Sequence, residues 1–95
     1  MAELDPHINP PARLKLLTTL TAVSAAEFST LRDSLQVSDS VLSKHLAALE
    51  AVDYVRRRKG VHHGRRTTWI ALTAHGRRRL SAHVAALREL IEGVD

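Results

Sequence analysis

A chain of 95 residues with 44% hydrophobic and 25% charged side chains has the composition of a small globular domain, not of a disordered or fibrous one. It contains no cysteine, which excludes a disulfide framework and a thiolate metal site. The formal net charge of +4 is unevenly spread: Tyr54 to Arg88 holds no Asp or Glu, but carries Arg56, Arg57, Arg58, Lys59, Arg65, Arg66, Arg77, Arg78, Arg79 and Arg88.

A one-signed block of that length is the electrostatic footprint of a polyanion partner. The N-terminus has neither the basic patch nor the apolar run of a signal peptide, and no apolar stretch is long enough for a bilayer. The expectation is therefore cytoplasmic, with no membrane partner. One domain spanning 1–95 is expected, and so short a chain buries a core modest enough that a partner subunit would help it.

In chain order, Met1 to Ile8 reads as a short tail. Asn9 followed by Pro10 and Pro11 marks a helix start, because a first-turn proline loses no hydrogen bond. Leu14, Leu16, Leu17, Leu20 and Val23 give this helix a broad apolar face, with an end near Ala22–Ser24. Glu27-Phe28 is a very short strand, and Ser29 caps a short second helix with Leu31 and Leu35 inward. After a turn at Gln36-Val37, Ser38 or Ser40 caps a third helix running to about Val52. On a helical wheel Val41, Leu42, His45, Leu46, Leu49 and Val52 share one arc, the core face, so His45 reads as a buried histidine holding the helix to its neighbours. The opposite side presents Ser40, Ser43, Lys44, Ala47 and Ala51, small, polar and basic residues that let a helix enter a groove. Asp53 ends the helix as a tolerable left-handed cap.

Tyr54–Lys59 and Arg66–Leu72 read as paired strands, with Gly60-Val61-His62-His63-Gly64-Arg65 as the hairpin tip. Tyr54 and Trp69 sit on this sheet and are expected in the core. Thr73 caps a last helix from Ala74 to about Gly93, where Leu80, Val84, Leu87, Ile91 and Val94 form a narrow coiled-coil seam. The fold class is mainly α with a small β-hairpin, a winged helix-turn-helix whose third helix would lie in a DNA major groove.

Six segments then resemble one family. Asp5-Pro6-His7-Ile8-Asn9-Pro10-Pro11-Ala12-Arg13-Leu14 is similar to the opening of short prokaryotic winged-helix DNA-binding regulators related to the MarR and ArsR regulators. Phe28-Ser29-Thr30-Leu31-Arg32 resembles the start of their second helix. Ser43-Lys44-His45-Leu46-Ala47-Ala48-Leu49-Glu50 resembles their recognition helix. Tyr54-Val55 resembles the first wing strand, with Asp53 where the family has glycine. Gly64-Arg65-Arg66-Thr67-Thr68-Trp69 resembles the return strand, and Leu72-Thr73-Ala74-His75-Gly76-Arg77 the start of the last helix. The resemblance covers nearly the whole chain and implies a dimeric regulator whose first and last helices pair across subunits.

The expected DNA-contacting residues are Ser38, Ser40, Ser43, Lys44 and Ala47 on the helix and Arg56, Arg57, Arg58, Lys59, Arg65 and Arg66 on the wing. Ser43 suits base edges or phosphate, Lys44 phosphate or guanine, and Ala47 a thymine methyl. Wing cations also guard an exposed sheet edge, but six of them with no anion exceed that need. Leu14, Leu17, Leu80, Val84, Leu87, Ile91 and Val94 are the expected dimer interface. Arg77, Arg78 and Arg79 sit where the helix dipole disfavours cations, and read either as seeking phosphates or a partner's acids, or as solvated.

His62, His63, His75 and His83 do not form a metal-sensing pattern, since Ser81 and Val94 stand where further ligands would be wanted, so neither metal nor cofactor is expected. No phosphate loop or nucleophile motif supports catalysis. The expected partners are duplex DNA with a pseudo-palindromic operator and a second copy of the chain, with a small-molecule effector left unassigned. A winged-helix module for protein–protein assembly is the alternative, and the lopsided positive charge argues against it.

Overall fold

The computed structural model describes residues 3–94; Met1, Ala2 and Asp95 lie outside them. Its elements are α1 (Pro11–Leu20), β1 (Ala26–Glu27), α2 (Phe28–Leu35), α3 (Asp39–Ala51), β2 (Val55–His62), β3 (Arg65–Leu72) and α4 (Ala74–Glu92). Leucine spacing sets the packing. Leu16, Leu17 and Leu20 on α1, Leu31 and Leu35 on α2, and Leu42, Leu46 and Leu49 on α3 bury one stripe each into a shared core. Ile8, Tyr54, Val55, Ile70 and Leu80 close it. Removing one of these leucine side chains forfeits about 2–5 kcal/mol.

Several local expectations change for identifiable reasons. Helix α1 stops at Leu20, earlier than its apolar pattern predicts. The Thr18 and Thr19 hydroxyls donate to the Lys15 carbonyl and the Thr21 hydroxyl to that of Thr18, while the amides of Thr21, Ala22 and Val23 reach back only three residues. Threonine hydroxyls offer the backbone an alternative to the helical ladder. Helix α2 begins at Phe28 with no side-chain cap, so Ser29 lies inside its first turn. Of the two serines that could cap α3, Ser38 does so, its Oγ accepting from the Val41 N–H at 3.2 Å. Val41, expected on the core face, is 41% exposed.

The sheet has three antiparallel strands in the order β1-β3-β2, so β1 extends the expected hairpin. Strand β2 runs on to His62, which pairs with Arg65, leaving the two-residue turn His63-Gly64. Their φ values of 51° and 77° are both left-handed, the combination that matches the twist of a two-residue hairpin. Gly60, expected in the turn, instead pairs with Thr67 within the ladder.

The expected N-terminal tail is a structural element. Asp5 is 2% exposed, and Ile8 is fully buried. The Asp5 carboxylate (Oδ2) accepts from the Tyr54 hydroxyl at 2.5 Å and from Arg79 Nε and Nη2 at 3.2 and 3.1 Å, while its other oxygen takes the His7 N–H at 2.9 Å. Its own N–H donates to His83 Nδ1 at 2.8 Å. Arg79 therefore has its acid within its own chain, while Arg77 and Arg78 remain exposed. Burial pushes the Asp5 carboxyl up, but the bonds from Tyr54, the His7 amide and Arg79 outweigh it and hold it below the ordinary range.

Helix α4 meets the same corner. The Thr73 hydroxyl donates to the Asp53 carbonyl at 2.6 Å and accepts from the Gly76 N–H at 2.8 Å, joining the end of α3 to the start of α4. A Cβ at Gly76 would lie 2.1 Å from the Tyr54 carbonyl oxygen, so only glycine permits this approach. Trp69, expected in the core, is half-buried on the sheet's outer side. The seam on α4 divides: Leu80 is spent on the chain's own core and Val84 packs against it, whereas Ile91 and Val94 are 66% and 72% exposed.

Burial lowers the His83 imidazole against the weaker upward pull of Asp5, and burial, then Arg13 and Lys44, lower His45. On unfolding both regain ordinary values of about 6.5, so below that pH the unfolded chain binds more protons and stability falls as pH drops. The Asp5 contribution is present above the unfolded carboxyl value of about 3.9 and is lost as pH falls through its folded value. Urea unfolding of wild type should show stability declining from about pH 7 to pH 5, at most about 1.4 kcal/mol per unit from each histidine. His83→Asn, whose Oδ1 can still accept the Asp5 N–H, should lose its share of that decline; an unchanged slope would refute the assignment. Asp5→Ala, which strands the buried Tyr54 hydroxyl, should cost about 2–3 kcal/mol near neutrality.

Candidate nucleic-acid interface

Helix α3 is held by one side so that the other is free. Leu42, Leu46 and Leu49 bury the inner stripe, which turns Ser40, Lys44, Ala47 and Ala51 outward, with Ser43 half-buried at the edge. The outer face is narrow and nearly without bulk beyond Lys44. His45 lies half-buried at the flank, where its Nδ1 accepts from Arg13 Nε at 3.1 Å, tying α3 to α1. The Ser38 hydroxyl is occupied by its cap and lies 3.1 Å from that of Ser40, which leaves Ser40 the more available of the two.

The turn between α2 and α3 is braced by Arg32. Its Nε and Nη1 reach Asp33 and Asp39, each at 2.9 Å. Asp39 stands at the first position of α3, where a carboxylate suits the helix dipole but would repel a phosphate. Arg32 supplies the compensating charge.

Strand register sorts the wing cations. Directly opposed residues share a face, so Arg57 with Ile70, Lys59 with Thr68 and Val61 with Arg66 occupy the face that runs into the core. Arg56 with Ala71, Arg58 with Trp69 and His62 with Arg65 occupy the other. On the core side Arg57 turns back to Glu50 of α3. Its Nε donates to Oε1 at 2.9 Å, and its Nη2 donates to the same oxygen. This clamp joins the last turn of the helix to the first residues of the wing. Arg57, expected among the DNA contacts, thus has its charge matched by Glu50 within the chain. Arg56 approaches Asp53 only at 3.9 Å, with both ends exposed, and gains little from it. Arg58, Lys59, Arg65 and Arg66 are exposed.

Glu50 was legible as a signal: an acid in the last turn of a helix read as entering DNA calls for a cation, and Arg57 is the third residue of the next strand. The expected dimer residues separate. Leu17 and Leu80 belong to the chain's own core, because the monomer needs them to close α1 against α4, and Leu14 packs beside them. Leu87 is half-buried, and Leu90, absent from the expected set, is 60% exposed beside Ile91 and Val94. His62 and His63 meet edge-on at the wing tip, His75 lies edge-on to Tyr54, and His83 is buried, so only the two wing-tip histidines stand together. Among the described residues no three potential metal ligands gather, and no helix is long and apolar enough to cross a membrane.

Comparison with known proteins agrees with this geometry. An uncharacterized protein of Methanocaldococcus jannaschii is 30% identical over 87 residues, covering 92% of this chain and 95% of that one. The structure of a transcriptional regulator homologue from Pyrococcus horikoshii superposes with a TM-score of 0.87 at 26% identity, over 94% of this chain and 88% of the other. The zinc-responsive MarR family member ZitR of Lactococcus lactis shares the fold, with a TM-score of 0.64 at 17% identity over 86% and 56% of the two chains. The family model for the winged helix DNA-binding domain matches residues 12–91, and the chain belongs to that family.

Proposed function

We propose that the chain is a sequence-specific regulator of transcription that binds duplex DNA as a homodimer. The observation that carries this reading is the clamp between Glu50 and Arg57, which fixes a slim helix face and a cationic hairpin as one unit. Helix α3 enters the major groove with Ser40, Ser43, Lys44 and Ala47 toward base edges. Lys59, Arg66, Arg58 and Arg65 meet phosphates or the adjacent minor groove. The sense of regulation proposed is repression, because occupying duplex DNA over a promoter blocks its use. The P. horikoshii homologue supports a regulatory role.

The dimer reading rests on α4. Leu87, Leu90, Ile91 and Val94 leave an apolar strip facing solvent at the end of the helix. A second copy would cover it isologously and set two α3 helices about 34–36 Å apart, one turn of B-form DNA. Sedimentation at micromolar concentration should give a dimer, and Ile91→Lys, at a position the monomer fold does not use, should give a folded monomer. A wild-type monomer would overturn this arrangement.

Positioning and reading can be separated by titrating a selected operator and a scrambled duplex side by side. Lys59→Ala should weaken both by similar factors and lower the slope of log affinity against log salt by about 1. Lys44→Ala should weaken the operator preferentially, by about 1–3 kcal/mol. Arg57→Ala should change the salt slope less than Lys59→Ala does, since Glu50 already neutralises it. Selective loss from Lys59→Ala and uniform loss from Lys44→Ala would reverse the assignment.

A further inference from the structure

Strand β1 ends at Glu27, a carboxylate set beside a hairpin of six cations. In a polyanion-binding surface such an acid costs affinity, so its contacts matter. Its Oε1 lies 3.3 Å from His62 Nε2, and its Oε2 accepts from the Thr67 hydroxyl at 3.4 Å. Both contacts are on the far half of the wing, within three residues of the His63-Gly64 turn. The same face carries Trp69, which is paired with Glu27 across β1 and β3. The His62 ring meets the Trp69 edge at 5.6 Å, and a Cβ at Gly60 would come within 2.9 Å of the indole. The wing's distal end is thereby tied back to the residue from which α2 starts.

We infer that Glu27 and His62 are positioning residues that latch the wing in its DNA-engaging attitude, and that the latch tightens when His62 carries a proton. The inference rests on the DNA-binding reading above. Protonation turns the contact into a charge-assisted hydrogen bond between opposite charges. The groups facing His62 are Glu27 from β1, His63 edge-on at 4.0 Å from the turn, and Arg65 from β3, with Arg66 nearby on the other face of that strand, while α2 offers only the neutral Ser29. The joint therefore couples wing geometry to whether this imidazole carries a proton.

The test exploits a difference of sign. Duplex affinity is measured at about pH 6 and about pH 8, at one salt concentration, for wild type, Glu27→Gln, His62→Gln and His62→Lys. By charge alone, Glu27→Gln removes an anion and should tighten binding at both pH values. The latch predicts the reverse at the lower pH, a weakening of about threefold or more, and no weakening at the higher one. His62→Lys should hold at the higher pH the affinity that wild type reaches only at the lower, and should lose that gain when combined with Glu27→Gln. His62→Gln should bind weakly and evenly at both. Tighter binding by Glu27→Gln at both pH values, or an undiminished gain in the double variant, would overturn the latch. Failure of wild type to bind duplex at either pH would instead overturn the DNA-binding reading itself.

Discussion

The structure depends first on one buried carboxylate. Asp5 receives the Tyr54 hydroxyl and the Arg79 guanidinium, and through its own N–H it holds His83. Tyr54 follows the end of α3, Arg79 and His83 lie on α4, and Asp5 precedes α1, so one residue joins α3, α4 and the N-terminal segment. Burial of an unpaired carboxylate would be prohibitive. Here every contact depends on the others being in place, and the attitude of α4 relative to α3 follows. Gly76, pressed on the Tyr54 carbonyl, and Thr73, bonded to Asp53, lock the same junction from the α4 side. The dimer proposed above would need this rigidity, because the distance between its two α3 helices would be set by how each α4 leaves its own domain.

A second theme is that the acids in a basic surface act as positioners. Asp39 is held by Arg32, and Glu50 holds Arg57. Each carboxylate costs some attraction for phosphate and returns geometry, fixing the turn before α3 or the angle between α3 and the wing. On the proposed reading, fewer cations are left to meet DNA than the sequence total implies. A cation matched inside the fold would release little counterion on binding, so a count of arginines is a poor count of contacts.

Much of this was legible in the sequence because it depends on periodicity and punctuation. The leucine stripes, the Pro11 helix start, the Thr73 cap and the left-handed Asp53 all follow from local rules and stand in the structure. What was not legible depends on long-range pairing. Asp5 looks like a tail residue until Tyr54 and Arg79, 49 and 74 residues away, are brought to it. The seam on α4 reads as one continuous interface from Leu80 to Val94, but no period distinguishes apolar residues facing the chain's own core from those left exposed. Strand alternation already puts Arg57 and Arg58 on opposite faces in the sequence, but only the fold shows that the Arg57 face meets Glu50. The extent of β2 was missed because two glycines advertised a long tip, while one of them serves packing against Trp69.

The central claim is that α3 reads sequence and α4 sets the spacing of two such readings. Selection of the purified protein on a pool of random duplexes tests both together. The account predicts enrichment of a two-fold symmetric sequence with half-sites centred about 10 base pairs apart or a multiple of that. Enrichment of a single unrepeated site, or no enrichment above the starting pool, would contradict it.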